Sequence, residues 1–405
     1  MTCQAPAFLI ACLPPVLATV STPCAAQART AQPQDPKQRE VELPATGGWH
    51  GRLLLDQPTI GVWTVGAFDV FPEYGTPEVV GVDDEGRVTI LVSYSGKWTP
   101  VRAVHEGEWL GGLTHADVDP RVDGSELYVG GERGVLHMVA RRGHGLVDDH
   151  VIGTLPGHEI HTILAGELDP RTPSADVLAF TRPGGLWRST PTGEHGGFET
   201  SRLAELTGRV RDALVLREAD AATGRSAVLV TASRDGAIER LEIGPNGLSS
   251  TTIHRTSVGR GRLALAPESD RGPTVIYSTG DDGTVWRHEE NGEGAWSTEV
   301  IYRGPEGPRG LAAGNFHAEP GVESVAVFGY SRDVVLLSRS ATGSWNSERI
   351  FRDRGKGHWL AAVELDGRNG THELVGSGYA GRIFTLSRPV GYGLPSVAGD
   401  TGTDR

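Results

Sequence analysis

The chain has 405 residues, among them 56 glycines and 25 prolines, and a formal net charge of −13 at pH 7. Such an acidic surface argues against non-specific binding to nucleic acid, because contacts to phosphates need a basic surface. No segment after residue 30 has a sustained helical period or the roughly 18 consecutive apolar residues that cross a membrane, so the sequence predicts a strand-rich protein that is not membrane-spanning.

The N-terminal 28 residues contain no charged side chain and end in Ala26-Gln27-Ala28, which has the small-x-small form of a signal-peptidase site. We therefore predict a signal peptide over residues 1–28 and an exported protein, either periplasmic or extracellular. The alternative is a lipoprotein leader, with Leu9 to Cys12 as the lipidation box.

All three cysteines, Cys3, Cys12 and Cys24, lie within this leader. The mature chain would therefore have no disulfide and no thiolate metal site. Residues 29–45 are polar and contain proline, which predicts a flexible linker.

One pattern recurs seven times after the linker: an apolar run, a turn, and a second alternating run, as in Glu373–Leu386. This pattern predicts a β-hairpin. The turns are separated by 47 to 51 residues and are marked by Gly86, Gly134, Gly185, Gly236, Gly283, Asp333 and Gly381. Repeats of about this length with several strands each are typical of a β-propeller. The sequence predicts an all-β, seven-bladed β-propeller of four-stranded antiparallel blades over residues 46–391.

The two ends of this region complement each other. The last repeat stops near Arg388 without an outer strand, whereas residues 48–57 have the pattern of an outer strand and precede the first inner strand. We expect this N-terminal strand to close the ring by pairing with the last blade, which would remove exposed sheet edges. Residues 392–405 are polar and predict a disordered tail, and the protein as a whole is expected to be a monomer.

The segment from Asp117 to Gly130 reads as an inner-strand end, an acidic loop and a Glu-Leu-Tyr-Val-Gly strand. In this respect the repeats resemble the FG-GAP/VCBS-type propeller repeats of integrin heads and secreted bacterial proteins. The resemblance implies calcium as a cofactor, with Asp117, Asp119 and Asp123 as ligands, since calcium takes six to eight oxygen ligands. The loop departs from the family pattern by a two-residue insertion. The alternative is an Asp-rich turn whose carboxylates accept local backbone N–H groups.

A ligand site is expected where loops from all blades meet around the central channel. Aligning the repeats on their inner strands places His161, Arg309 and His358 at one equivalent position. Guanidinium groups bind carboxylate, sulfate or phosphate, and aromatic faces stack on sugars. The sequence therefore predicts a pocket at the channel mouth for an acidic sugar or another anion. The predicted ligand-binding residues are His158, His161, Arg309, Tyr330, Arg332, His358, Trp359 and Tyr379. The alternative is that these polar side chains pair with neighbouring acids and have no ligand.

No nucleophile elbow, zinc-protease motif or phosphate-binding glycine loop occurs in the sequence. We therefore expect an exported, non-catalytic recognition or scaffold module whose partner is a protein or a glycan. The alternative is a sugar lyase, a dehydratase or a metal-assisted hydrolase with its site on the same face. The histidines His158, His161 and His358 are the candidate metal ligands for that alternative.

Overall fold

The protein is described by a computed structural model that covers residues 41–172, 174–193, 197–267, 273–292, 294–317, 321–365 and 371–388. The predicted signal peptide (1–28), most of the linker and the tail (392–405) lie outside these residues. Within the described ranges, no helix is long and apolar enough to cross a membrane.

The described residues form seven antiparallel sheets arranged as the seven blades of a β-propeller, which confirms the predicted fold. Strand 1 of each blade is innermost. Blades 1 to 3 consist of β3 (Val62–Phe68), β4 (Glu78–Asp83), β5 (Arg87–Tyr94) and β6 (Lys97–His105); β7 (Leu110–Ala116), β8 (Glu126–Gly131), β9 (Val135–Gly143) and β10 (Leu146–Thr154); and β11 (Glu159–Gly166), β12 (Asp176–Arg182), β13 (Gly185–Pro191) and β14 (Phe198–Glu205).

Blades 4 to 6 have the same four-stranded order. They consist of β15 (Val210–Arg217), β16 (Ala227–Ser233), β17 (Ala237–Gly244) and β18 (Gly247–Arg255); β19 (Arg260–Leu265), β20 (Val275–Gly280), β21 (Thr284–Asn291) and β22 (Ala295–Arg303); and β23 (Pro308–Ala313), β24 (Ser324–Gly329), β25 (Asp333–Arg339) and β26 (Trp345–Arg352). A single turn of 3₁₀ helix, Pro72–Tyr74, lies between strands 1 and 2 of blade 1.

Blade 7 combines both ends of the chain. Its inner strands are β27 (Gly357–Val363), β28 (Glu373–Gly378) and β29 (Arg382–Ser387), and its outer strand is β2 (His50–Asp56). The pairing of β2 with β29 is the predicted ring closure. One difference from the sequence analysis is that β1 (Val41–Leu43), within the segment assigned to the linker, adds a fifth strand by pairing with β2.

The core lies between the blades, where each sheet packs its apolar residues against the next sheet. The turns between strands 2 and 3 contain the residues that mark the repeat in the sequence. At Gly381, with φ of +70°, a Cβ would lie 2.0 Å from the carbonyl oxygen of Gln57, so the loop from the outer strand leaves no room for a side chain. Two blades differ. The marker Gly185 of blade 3 is not in the left-handed conformation, and in blade 6 Arg332 takes that conformation (φ +71°) just before the predicted marker Asp333.

Because neighbouring strands of a blade run in opposite directions, the loops that connect them lie alternately on the two faces of the propeller. The turns between strands 2 and 3 and the loops that enter each inner strand lie on one face, here called the cavity face. The loops between strands 1 and 2 lie on the other, here called the distal face.

Candidate functional site

The inner strand of every blade has a β-bulge near its start on the cavity face. At this point the register with strand 2 shifts, and one residue, or two in blade 5, is left without a partner. The bulge residues, in blade order, are Trp63, Gly111, His161, Arg211, Gly261 with Arg262, Arg309 and His358. A bulge re-aims side chains away from the regular alternation of a strand, and all of these residues line one cavity on the propeller axis.

This cavity has a volume of about 320 Å³. Besides the bulge residues it is lined from two further positions. The residue two places before the bulge contributes Trp109, Glu159 and Arg209, and the turns between strands 2 and 3 contribute Arg182 and Tyr379. The site is thus assembled from all seven blades, with residues far apart in sequence.

The two sides of the cavity differ in chemistry. Blades 7, 1 and 2 form an aromatic wall, in which the Trp63 ring lies 5.8 Å from Trp109, 4.4 Å from His358 and 5.7 Å from Tyr379, measured between ring centroids. Blades 3 to 6 form a cationic wall of guanidinium groups from Arg182, Arg209, Arg211, Arg262 and Arg309.

Three of the five arginines are balanced by carboxylates. Arg211 and Arg309 both donate to Asp281, so this carboxylate links blades 4, 5 and 6. Arg182 donates to Glu159 at 3.3 Å. Two carboxylates therefore serve three guanidinium groups.

The other two arginines have no such partner. Within the part of the chain that the structure describes, no carboxylate oxygen lies within 4.0 Å of the guanidinium of Arg209 or Arg262. Burial lowers the pKa of each to about 10. Neighbouring arginines add to the lowering, whereas the carboxylate of Asp212 opposes it at Arg262 and that of Glu159 opposes it at Arg209. Nε of Arg209 is buried and has no hydrogen-bond partner among the residues that the structure describes. The cavity thus carries excess positive charge in a chain whose net charge is −13.

Both cavity histidines are neutral at neutral pH. Burial, followed by the charge of Arg209 and three further arginines, lowers the pKa of His161 to about 3. Burial, followed by the charge of Arg262, lowers the pKa of His358 well below its usual value. Imidazoles with such low pKa values are weak general bases near pH 7.

The hydrogen bonds fix the tautomer of each ring. Nδ1 of His358 lies against the backbone carbonyl oxygen of Trp63, which only accepts, so Nδ1 carries the hydrogen and Nε2 is an acceptor. Nδ1 of His161 accepts from Arg209 at 3.1 Å, so Nε2 carries the hydrogen, 3.3 Å from Glu159.

Four of the eight predicted ligand-binding residues line the cavity: His161, Arg309, His358 and Tyr379. Tyr330 lies beside it on the rim, with its hydroxyl oxygen 3.4 Å from that of Tyr379. Trp359 lies beneath it, with its ring centroid 4.1 Å from the guanidinium carbon of Arg262.

The other two predicted residues lie elsewhere. His158 bonds to Thr181 at 3.2 Å and packs against Trp187, because it belongs to the loop before the inner strand and lies ahead of the bulge. Arg332 holds the left-handed position of its turn. Sequence reasoning did not assign Trp63, Trp109, Arg209 or Arg262 to the site. The available signal was spacing, since each bulge residue precedes the turn marker of its own blade by 21 to 25 residues.

The predicted calcium loop lies on the distal face. Asp119 is buried and receives Nε and the second terminal nitrogen of Arg121, each at 2.5 Å, and the backbone N–H of Arg121 at 3.1 Å. Asp117 and Asp123 are exposed. Among the described residues, no three histidine, cysteine or acidic side chains are grouped to hold a metal ion, and this covers both the Asp117–Asp123 loop and the trio His158, His161 and His358.

Comparison with known proteins supports the β-propeller fold but assigns no family within it. The chain matches no family model and no curated protein sequence, so the FG-GAP/VCBS resemblance stays a prediction from the motifs. It is similar to the crystal structure of BBS1N in complex with ARL6DN, at 13% identity and a TM-score of 0.56, over 84% of this chain and 97% of that one. The WD40 β-propeller domain of Doa1 is similar at 13% identity and a TM-score of 0.55, with the same coverage.

Proposed function

We propose that this propeller is a recognition module that binds an acidic sugar in the cavity on its axis. The observation that carries the proposal is the pair Arg209 and Arg262, which line the same cavity as the rings of Trp63 and Trp109 and have no carboxylate oxygen within 4.0 Å among the described residues. A uronic acid can interact with both walls of the cavity. Its carboxylate can accept hydrogen bonds from a guanidinium group, and its ring face can pack against an indole.

The low pKa values of His161 and His358 favour binding over proton transfer. An exported setting and a monomeric state stay part of the proposal as expectations from the sequence. An acidic segment of a protein is the alternative ligand, and the experiment below separates it from a sugar.

The test is isothermal titration calorimetry of residues 29–405 with galacturonate, glucuronate, the matching neutral hexoses, inorganic phosphate and a short acidic peptide. We expect binding of at least one uronate, and no binding of the neutral hexose at the same concentration. Arg209→Met should weaken uronate binding by about tenfold or more, since a hydrogen bond to a charged group contributes roughly 1.5–3 kcal/mol.

Arg217→Met is the matched control, because Arg217 is an exposed arginine at the far end of β15, the strand that follows Arg209. The Arg217→Met variant should bind the uronate with the same affinity as the unmodified protein. Equal affinity for the uronate and the neutral hexose would contradict the proposal. If only the peptide or only phosphate bound, that compound and not a sugar would be the ligand class of the cavity.

A further inference from the structure

Two exposed tyrosines extend the surface of the cavity beyond its edge. Tyr330 and Tyr379 each directly follow strand 2, in blades 6 and 7, and they are 37% and 39% exposed. Their hydroxyl oxygens lie 3.4 Å apart, and Tyr379 also lines the cavity. The exposed surface of the two side chains is therefore continuous with the cavity.

A lysine from the loop that enters blade 7 joins this pair. Lys356 lies two places before the bulge residue His358. In blades 2, 3 and 4 the residue at the equivalent position lines the cavity, and these residues are Trp109, Glu159 and Arg209. Lys356 is exposed, and its Nζ lies 4.8 Å from the ring centroid of Tyr330. The repeat thus places an ammonium group beside the cavity, and Tyr330, Tyr379 and Lys356 are here called the tyrosine rim.

Blade 6 leaves room for the Tyr330 ring in this rim. Its residue two places before the bulge is Gly307, where φ is +73° and a Cβ would lie 2.5 Å from Cδ2 of Tyr330. The ring therefore packs where blades 2, 3 and 4 have a side chain. It also lies 5.1 Å, measured to its centroid, from the guanidinium carbon of Arg309, which lines the cavity. Tyr330 thus connects a cationic group of the cavity with the cationic group of the rim.

The ammonium group of Lys356 has no acid beside it. Among the described residues no carboxylate oxygen lies within 4.0 Å of its Nζ, and the acid closest to it in sequence, Asp353, receives Arg382 at 2.9 Å. Its charge adds to the excess positive charge of the cavity. A ligand with a second anionic group would balance that charge.

We infer that the ligand extends from the cavity onto the tyrosine rim and carries a second carboxylate there, so that the ligand class is an oligouronate of adjacent uronic acids. The inference rests on the proposed function and adds to it the charge of the residue next to the one in the cavity. The carboxylate of that neighbouring residue accepts a hydrogen bond from the ammonium group of Lys356. The exposed tyrosines offer apolar ring surface and hydroxyl groups to the sugar itself.

The experiment compares three ligands by isothermal titration calorimetry. They are the uronate that binds as a monosaccharide in the titration above, its disaccharide, and a disaccharide with the same linkage in which a neutral hexose replaces the second uronate. We expect the diuronate to bind about tenfold more tightly than the monosaccharide, of which about twofold arises because either of its residues can enter the cavity. The remaining factor of about five corresponds to about 1 kcal/mol. The mixed disaccharide should bind within about threefold of the monosaccharide, since it lacks the second charge.

A lysine variant assigns the gain to the rim. Lys356→Met should lower the ratio of diuronate to monosaccharide affinity from about ten to about two or three. Lys97→Met is the matched control, because Lys97 is the other lysine among the described residues and is exposed at the start of β6 in blade 1. The control should keep the ratio of the unmodified protein. Both substitutions are at exposed positions, and thermal melting checks that both variants fold.

Three results would overturn the inference while leaving the proposed function intact. The first is a ratio of about two or less in the unmodified protein, and the second is an unchanged ratio in Lys356→Met. The third is equal affinity for the diuronate and the mixed disaccharide, which would show that the second charge is not recognised. Failure of every monosaccharide uronate to bind would instead overturn the proposed function itself.

Discussion

Arginines and carboxylates meet on both faces of the propeller, in different proportions. On the distal face, the fully buried carboxylate of Asp169 receives Arg171 at 2.6 Å and Arg188 at 2.5 Å, and Asp119 receives Arg121. On the cavity face, Arg209 and Arg262 have only neutral partners among the described residues. Arginine is thus paired with a carboxylate at these sites of the distal face, whereas two of the five arginines that line the cavity have no carboxylate oxygen within 4.0 Å among the described residues.

This difference in charge pairing distinguishes arginines that stabilise the fold from arginines that are available to bind a ligand. A buried carboxylate that already receives two guanidinium groups has no capacity for another strong partner. A buried guanidinium without a carboxylate costs free energy that a bound anion would recover. Charge balance, and not the number of arginines, therefore distinguishes the two faces.

The largest expected effect lies on the distal face. Asp169→Ala should lower the free energy of unfolding by about 3 kcal/mol, because it leaves Arg171 and Arg188 without their shared carboxylate. Urea denaturation followed by tryptophan fluorescence measures this, with Asp123→Ala at an exposed position of the same face as the control. Uronate affinity should not change in either variant. A loss below about 1 kcal/mol would class these contacts with ordinary surface ion pairs.

The next effect is a pH dependence that originates in the cavity. His161 has a pKa of about 3 in the folded protein and an ordinary value of 6.5. As pH falls below about 6.5 the unfolded state binds the proton first, so stability is lost, by up to about 1.4 kcal/mol per pH unit, until pH nears 3. In His161→Gln this contribution is absent, and stability should fall less steeply between pH 6 and pH 4. Equal slopes in the two proteins would show that His161 titrates normally when folded.

Much of the fold could be predicted because the turns repeat a hard steric constraint. At Gly86, for example, a Cβ would lie 2.4 Å from the carbonyl oxygen of Glu108, so the position selects glycine and marks the blade in the sequence. The closing strand was predictable for a similar reason, since an unpaired sheet edge at β29 required a partner. The short strand Val41–Leu43 was not, because three residues carry no periodic signal.

The cavity could be predicted only in part. His161, Arg309 and His358 fall at one position of the repeat, and alignment of the inner strands identifies them. Trp63 occupies that same position, but a tryptophan at the start of an apolar strand looks like a core residue. A bulge is a shift in register between two strands, and the sequence of one strand does not reveal it. Among the described residues no carboxylate oxygen lies within 4.0 Å of the Arg209 guanidinium, and this depends on three-dimensional distances that spacing cannot supply.

The smallest expected effect gives the clearest contrast between the two faces. Arg209→Met replaces an unbalanced buried charge by an apolar side chain of similar length and removes its repulsion with Arg211 and Arg182. The free energy of unfolding should therefore rise by about 0.5–1 kcal/mol even as uronate affinity falls, a trade-off expected at a binding site. Arg217→Met should stay within about 0.5 kcal/mol of the unmodified protein. If Arg209→Met instead destabilised the fold as strongly as Asp169→Ala, Arg209 would be a structural tie between blades. Arg209 would then stabilise the fold as the paired arginines of the distal face do, and the proposed difference between the two faces would be wrong.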